Sequence, residues 1–391
     1  MTSARGSSRG SGLEFEGPGP VAACEHARLI DNDRTQRMQA TIGTTALLAL
    51  SALSTAQVHA QSLTQVHEFK DWAMACDNRR HCEAIAYHNE ESGSPPVTMW
   101  LSRDAGPHAR VHIQFDTDES EDTQLLTLHL GPRQQLKGIS PRKDLSPADT
   151  AKLLAYVLEG EEIVVTEGGS GNNSSKKRWQ LSLAGSKAAL LKMDDLQGRV
   201  GTPGALVRRG KQIPAKAESS VLPALAAPRV KAAALPKTVA ADQALLQPIL
   251  DAVTPRECWE DLPDDRGPEQ SITRVSATEV LVMRECGRGA YQGGSGIWLA
   301  QSKPPYAPKR LRLPLPGGES DDYVMSANLE AGTGRLSSFA KGRGISDCGS
   351  SFDWVWNGRS FDLLQAWVSP MCRGFAGGGF GLQLWTAETR P

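Results

Sequence analysis

Between Met38 and Ala60 the chain reads MQATIGTTALLALSALSTAQVHA, and its apolar run, Ala46 to Leu53, is too short to cross a bilayer as a helix. Small and polar residues follow, ending in Val58-His59-Ala60, so the segment has the layout of a secretory signal cleaved near Ala60. Arg34 and Arg37 supply the positive charge expected ahead of it, and the Gly/Ser/Arg-rich stretch 1–37 is read as a non-folding leader. The consequence is chemical: a chain exported from the reducing cytosol uses its cysteines as staples.

Cys24 lies in the leader, which leaves Cys76, Cys82, Cys258, Cys286, Cys348 and Cys372. An even set in an oxidising compartment implies disulfides, although six thiols admit many pairings and the sequence alone does not choose. The sequence-local set is favoured: Cys76 with Cys82, Cys258 with Cys286, Cys348 with Cys372. Each closes a short loop, and bridges of this kind contribute about 2 to 4 kcal/mol apiece.

The residues beyond the signal suffice for two domains of ordinary size. Lys and Arg number 43 against 44 Asp and Glu, a net charge of -1, so no overall field draws the chain to nucleic acid or anionic lipid. No later run has the roughly 18 apolar residues of a membrane helix, so no transmembrane anchor is expected.

Short β-prone runs separated by turn residues fill the first half. Strands are expected at Asp71 to Cys76, Cys82 to His88, Val97 to Ser102, Ala109 to Phe115 and Gln124 to Leu130, forming a half-buried antiparallel sheet. Ser146-Pro147 opens a helix with serine at the cap and proline at the first position, and Leu153, Leu154, Val157 and Leu158 give it an apolar stripe. A hairpin of Ile163 to Glu167 with Arg178 to Leu183 follows, then a second helix from Ser186 to about Leu196. This β-rich module spans 61–210. The stretch 211–240, rich in Ala, Pro and Lys and without an aromatic residue, reads as an extended linker.

A second, tryptophan-rich β module spans 241–391. It begins with a helix, Asp242 to Val253, kinked or cut at Pro248. Strands are expected at Glu279 to Glu285, Gly296 to Ala300, Tyr323 to Leu329, Phe352 to Trp356, Ser360 to Val368 and Gly381 to Trp385. Asn357-Gly358 predicts a two-residue type I′ hairpin that sets Trp356 opposite Arg359, Trp354 opposite Phe361 and Phe352 opposite Leu363. The fold class is mainly β with a few helices.

Several groups of residues carry a resemblance when taken in order. They are Phe69-Lys70-Asp71-Trp72 with Cys76-Asp77-Asn78, Leu101 to Gly106, Met193 to Arg199, Cys286 with Gly289-Ala290-Tyr291, and Gly342 to Gly349. Together they resemble the bacterial periplasmic family known as domain of unknown function 1176, over Phe69 to Trp385. Gln292 departs from the asparagine expected after the alanine-tyrosine pair. The first module alone, Phe69 to Arg199, is similar to invasion-associated locus B proteins. The resemblance implies periplasmic location and module order; it carries no activity.

The eight histidines all lie at or before position 129, so the second module has no histidine to activate a serine or cysteine nucleophile. His108 and His112, if both lie on a strand, stand about 13 Å apart at ~3.3 Å per residue, too far to share one zinc. Cys76, His81, Cys82 and His88 make a better imagined metal site, outweighed by the disulfide reading. The doublets Asp194-Asp195, Asp264-Asp265 and Asp321-Asp322 read as solvated faces rather than acid/base pairs. The glycine-rich segments match no phosphate-binding loop, and Lys176-Lys177-Arg178 and Lys309-Arg310 lack an aromatic platform. No cofactor, metal or nucleic acid is expected.

Aromatic residues remain. Trp259, Trp298, Trp354, Trp356, Trp367 and Trp385 fall in the second module. A solvent-facing row with Trp354 and Trp356 would suit sugar rings or a protein partner, whereas filling the core is the commoner use of tryptophan. With Arg359 beside them, Arg343 and Asp347 in the glycine-flanked loop 342–349, and Tyr291, these are the candidate binding residues. The sequence therefore points to an exported, disulfide-containing binding or structural factor of the cell envelope, with an envelope protein or glycan as partner. The alternatives are an envelope-acting hydrolase with a carboxylate site and a protein inhibitor of a hydrolase.

Overall fold

The computed structural model describes residues 64–118, 125–168, 177–211, 221–253, 258, 262 and 266–390. The leader, the signal segment, Lys176, Trp259 and Asp264-Asp265 lie outside the described residues. The chain is mostly β-structure in antiparallel sheets, with few helices.

In the first half, His67–Phe69, Trp72–Cys76, Cys82–Tyr87, Val97–Arg103 and Val111–Thr117 form a five-stranded sheet in chain order. A second sheet holds Gln134–Ile139, Leu125–Leu130, Glu162–Gly168 and Arg178–Ser182, in that order. Trp72, Met74, Met99 and Leu101 from one sheet meet Leu126, Leu128, Val165 and Trp179 from the other in a shared core. The Trp72 indole N–H also donates to Ser182 O at 3.1 Å, so the buried ring is anchored at its polar edge. Helix Pro147–Val157 starts where Ser146 accepts from the Asp149 N–H, and it buries Thr150, Leu153 and Val157. Ser186–Leu196 is the second helix.

The central strands Trp72–Cys76 and Cys82–Tyr87 are buried at every position, which the half-buried expectation did not include. Their alternation is intact but serves two cores. Met74 and Ala84 face the first-half core, while Ala73, Ala75, Ile85 and Tyr87 face Met371 and Leu382 from the far end of the chain. Alanine on the second face conceals the period, because small residues allow the later strand Leu382–Thr386 to approach closely.

In the second half, Gln270–Arg274, Glu279–Arg288, Gly293–Gln301 and Lys309–Arg310 make one sheet, with Val324–Met325 also pairing to Gly293–Gln301. Asn328–Glu330, Arg335–Lys341, Gly349–Trp356, Phe361–Ser369 and Leu382–Thr386 make another. Leu281 and Ile297 from the first pack with Leu336, Trp354, Trp356 and Leu363 from the second. The expected strand Tyr323 to Leu329 is split at Ser326, whose φ of 46° breaks the extended backbone. The expected helix is divided into Ala240–Gln243 and Leu246–Asp251, so Pro248 lies in the first turn of the latter, where its missing N–H costs nothing.

The hairpin register also differs from expectation. Trp356 pairs with Phe361 and Trp354 with Leu363, closing a four-residue turn, Asn357 to Ser360. The Asn357 carboxamide oxygen accepts the N–H groups of both Arg359 and Ser360 at 2.9 Å, which stabilises the longer turn over the two-residue one. A register shift between Asp353 and Trp354 then sets Phe352 opposite Ala366.

The three disulfides join Cys76 to Cys82, Cys258 to Cys286 and Cys348 to Cys372, the sequence-local set. From the stretch read as a linker, Leu222 and Leu225 N–H donate to Gln197 and Arg79 carbonyls, and Arg229–Lys231 pairs in parallel with Glu388–Arg390. No helix among the described residues is long and apolar enough to cross a membrane.

Candidate binding site

Strands Glu279–Arg288 and Gly293–Gln301 are joined by a short turn, closed by the Gly289 N–H donating to Gln292 O at 2.9 Å. A cleft of about 390 Å³ opens beside this turn, lined by Arg266, Glu269, Glu285, Arg288, Tyr291 and Ser326 among others. Its floor is an ion pair. Glu285 is buried and receives the Arg288 guanidinium and the Glu269 N–H, the latter at 3.1 Å. Arg288 holds the Glu285 carboxyl below the usual carboxylate range. A side chain at Gly293 would place its Cβ 2.2 Å from Glu285 Oε1, so glycine there is what lets the carboxylate sit beneath the turn.

Tyr291 stands at the rim, 72% exposed. Its ring lies against Gly344, where a Cβ would come within 3.0 Å of the ring carbons. Gln292 fastens the same turn to the next sheet: its oxygen accepts the Lys341 N–H at 2.6 Å, and its nitrogen donates to Phe339 O at 2.7 Å and Ser326 Oγ at 2.9 Å. The amide that departs from the expected asparagine therefore joins two segments far apart in sequence. Phe339 and Ile345, both exposed, lie on the two segments that Gln292 and Tyr291 contact.

The loop 342–349 is rigid by construction. Arg343 Nε donates to Asp347 Oδ1 at 2.7 Å and its Nη2 reaches Oδ2, while the Gly374 N–H also donates to Oδ2. Burial pushes the Asp347 carboxyl up, but Arg343 and the Gly374 N–H outweigh it and hold it below the ordinary range. The Cys348–Cys372 bridge closes the same loop. Asp347, Cys348 and Cys372 bring their ligand atoms within 4.8 Å of one another, yet both sulfurs are committed to the disulfide.

Of the six candidate binding residues, Tyr291, Arg343 and Asp347 come together. Trp354 and Trp356 are 2% and 1% exposed, so the expected surface row is core: both indoles pack with Leu281 and Ile297 of the facing sheet, and Trp354 Nε1 donates to Pro314 O at 2.7 Å. Arg359 is exposed at the Asn357–Ser360 turn. It lies at the opposite end of Gly349–Trp356 from Asp347, roughly 25 Å away at ~3.3 Å per residue. Glu285, Arg288 and Gln292 were not singled out as site residues from sequence; their glycine-flanked turn was the available signal. His108 precedes strand Val111–Thr117, and His112 bonds Asp144 at 2.8 Å.

Both site carboxylates are ionised and saturated with donors, so neither is poised to deliver a proton near neutral pH. What the cleft offers is polar hydrogen bonding beside an exposed aromatic ring.

The model of a protein family of unknown function, DUF1176, matches residues 66–388. The chain belongs to this family. A relative, the uncharacterized protein YpfG of Escherichia coli strain K12, is 30% identical over 343 residues, covering 81% of this chain and 91% of the relative. The crystal structure of invasion associated protein B from Bartonella henselae aligns with 34% of this chain and 97% of its own, with 11% identity and a TM-score of 0.26. The matched DUF1176 span contains the whole cleft and the whole junction between the two halves.

Proposed function

We propose that this DUF1176 protein is an exported, non-catalytic binding factor of the cell envelope, and that it engages its partner through Tyr291 and the adjoining cleft. The observation that carries the reading is the exposed Tyr291 ring held by rigid neighbours. Gln292 ties its turn to strand Arg335–Lys341, and the Arg343–Asp347 pair with the Cys348–Cys372 bridge fixes the loop it leans on. A preorganised aromatic rim binds without the entropy cost of ordering a loop. Export is supported by three disulfides and by the signal-like segment 38–60, and the periplasm is the compartment that suits both.

A carboxylate-based hydrolase is the weaker reading, because the cleft's buried carboxylate and the loop's are each paired with arginine. The test is retention. Mature protein immobilised and exposed to envelope extract should retain a component unchanged, and Tyr291→Ala should lose it. Chemical conversion of that component by the wild-type chain would overturn the reading.

A further inference from the structure

A second polar cluster lies away from the cleft, in the first half. Asp194 lies in the last turn of helix Ser186–Leu196, Gln197 and Arg199 follow it, and the chain continues through Thr202 and Gly204. Arg199 is fully buried. Its Nε donates to Gln197 Oε1 at 2.9 Å and its Nη2 to the carbonyls of Asp104 and Gly106, whereas its Nη1 is buried without a hydrogen-bond partner. Thr202 Oγ1 is likewise buried and unpartnered. Arg103, also buried, donates through Nε to Ala109 O and through Nη1 to Gly204 O, and neither bond engages its Nη2.

These groups converge. The Cβ position of Gly204 has as its three nearest heavy atoms Arg103 Nη2, Arg199 Nη1 and Thr202 Oγ1, each at 3.8 Å. All three can donate. The one buried carboxylate nearby answers them only at a distance: Asp194, fully buried rather than on the solvated face expected from sequence, gives Oδ2 to the N–H groups of Leu206 and Val207, and its Oδ1 has no hydrogen-bond partner among the described residues and stays 3.9 Å from Arg103 Nη1. Two buried guanidinium groups against one buried carboxylate leave net positive charge in a low-dielectric site.

We infer that this cradle binds a small monovalent anion of chloride size. A water would accept from both guanidinium groups and donate to Thr202 Oγ1, since a hydroxyl oxygen also accepts, but it would leave the excess positive charge uncompensated. A spherical anion accepts all three and neutralises the pair. The ion would act structurally, fastening the segment after the helix onto strand Val97–Arg103, which carries Arg103.

Gly204 supplies a clean test. Its backbone is not left-handed, and a methyl group would meet only ordinary contacts at 3.8 Å, so Gly204→Ala should fold while filling the cradle. Thermal unfolding of the full mature chain is compared in sodium chloride and in sodium gluconate at equal ionic strength. Wild type should gain about 2 to 4 °C in chloride at about ten times the dissociation constant, and Gly204→Ala should show no such difference. Crystals of wild type in sodium bromide should show an anomalous peak between Arg103, Arg199 and Thr202. A chloride response that is absent in wild type or equal in both proteins, or a bromide map without that peak, overturns the inference.

Discussion

The side-chain amide of Asn78 pairs with the backbone of Thr386 as a strand neighbour would: its nitrogen donates to Thr386 O at 3.0 Å and its oxygen accepts the Thr386 N–H at 2.9 Å. This places the Cys76-Asp77-Asn78 turn across the junction of the two halves. Glu83 does the same from the next strand, accepting the Gln383 N–H at 2.6 Å, and Arg373 reaches back to Asp71 at 3.0 Å. Residues that carry the family resemblance at the start of the fold therefore work at its end. Asn78→Ala should cost about 1 to 3 kcal/mol, since it strands a backbone N–H and C=O at a half-buried site. Urea unfolding monitored by tryptophan fluorescence measures the loss.

His81 makes the junction pH-dependent. Burial alone would lower its pKa, but hydrogen bonds to Glu83 and Asp104 outweigh that and raise it to about 9. A raised folded-state pKa means that protonated His81 adds stability that is complete below its unfolded value of 6.5 and is lost as pH rises through about 9. The contribution is at most about 3 kcal/mol, reduced by the solvent around Asp104. The difference in unfolding free energy between wild type and His81→Gln should therefore shrink between pH 6.5 and 9. A difference that stays constant with pH would show that the ion pair is not formed.

Tyr291 and Trp354 should separate binding from stability. Tyr291→Ala removes a ring that is 72% exposed, so stability should change by no more than about 0.5 kcal/mol while partner retention is lost. Trp354→Ala empties a core position and should cost about 3 to 5 kcal/mol. Melting curves and retention measured on the same two variants distinguish the roles.

Replacing Cys348 and Cys372 together by serine should cost about 2 to 4 kcal/mol and loosen the loop on which Tyr291 leans. Limited proteolysis should then cut within 342–349, where the wild-type chain resists.

The parts of this fold written locally were legible in the sequence. Ser146-Pro147 announces a helix, the helix at Ser186 and most first-half strands follow from period and turn residues, and the disulfides are the sequence-local set, favoured among pairings that the sequence alone does not choose. What escaped was set by distant contacts. Ala73 and Ala75 look neutral until Leu382 packs on them. The buried fate of Trp354 is set by the sheet packed on its face, through Leu281 and Ile297, while the local turn at Asn357 sets only its cross-strand partner. Gln292 and Tyr291 join turn 289–292 to Lys341 and Gly344 across about 50 residues of chain, a separation that no local pattern encodes. Short strands such as Arg335–Lys341, with Ser337 and Ser338 at its centre, carry too weak an alternation to announce themselves.

The most direct test of the account is a hydrogen-exchange footprint of the mature chain with the envelope component it retains. Protection should concentrate at 289–292 and 341–347 and leave the Asn357–Ser360 turn unchanged. Protection confined to that turn, or to surfaces outside the Tyr291 cleft, would contradict it.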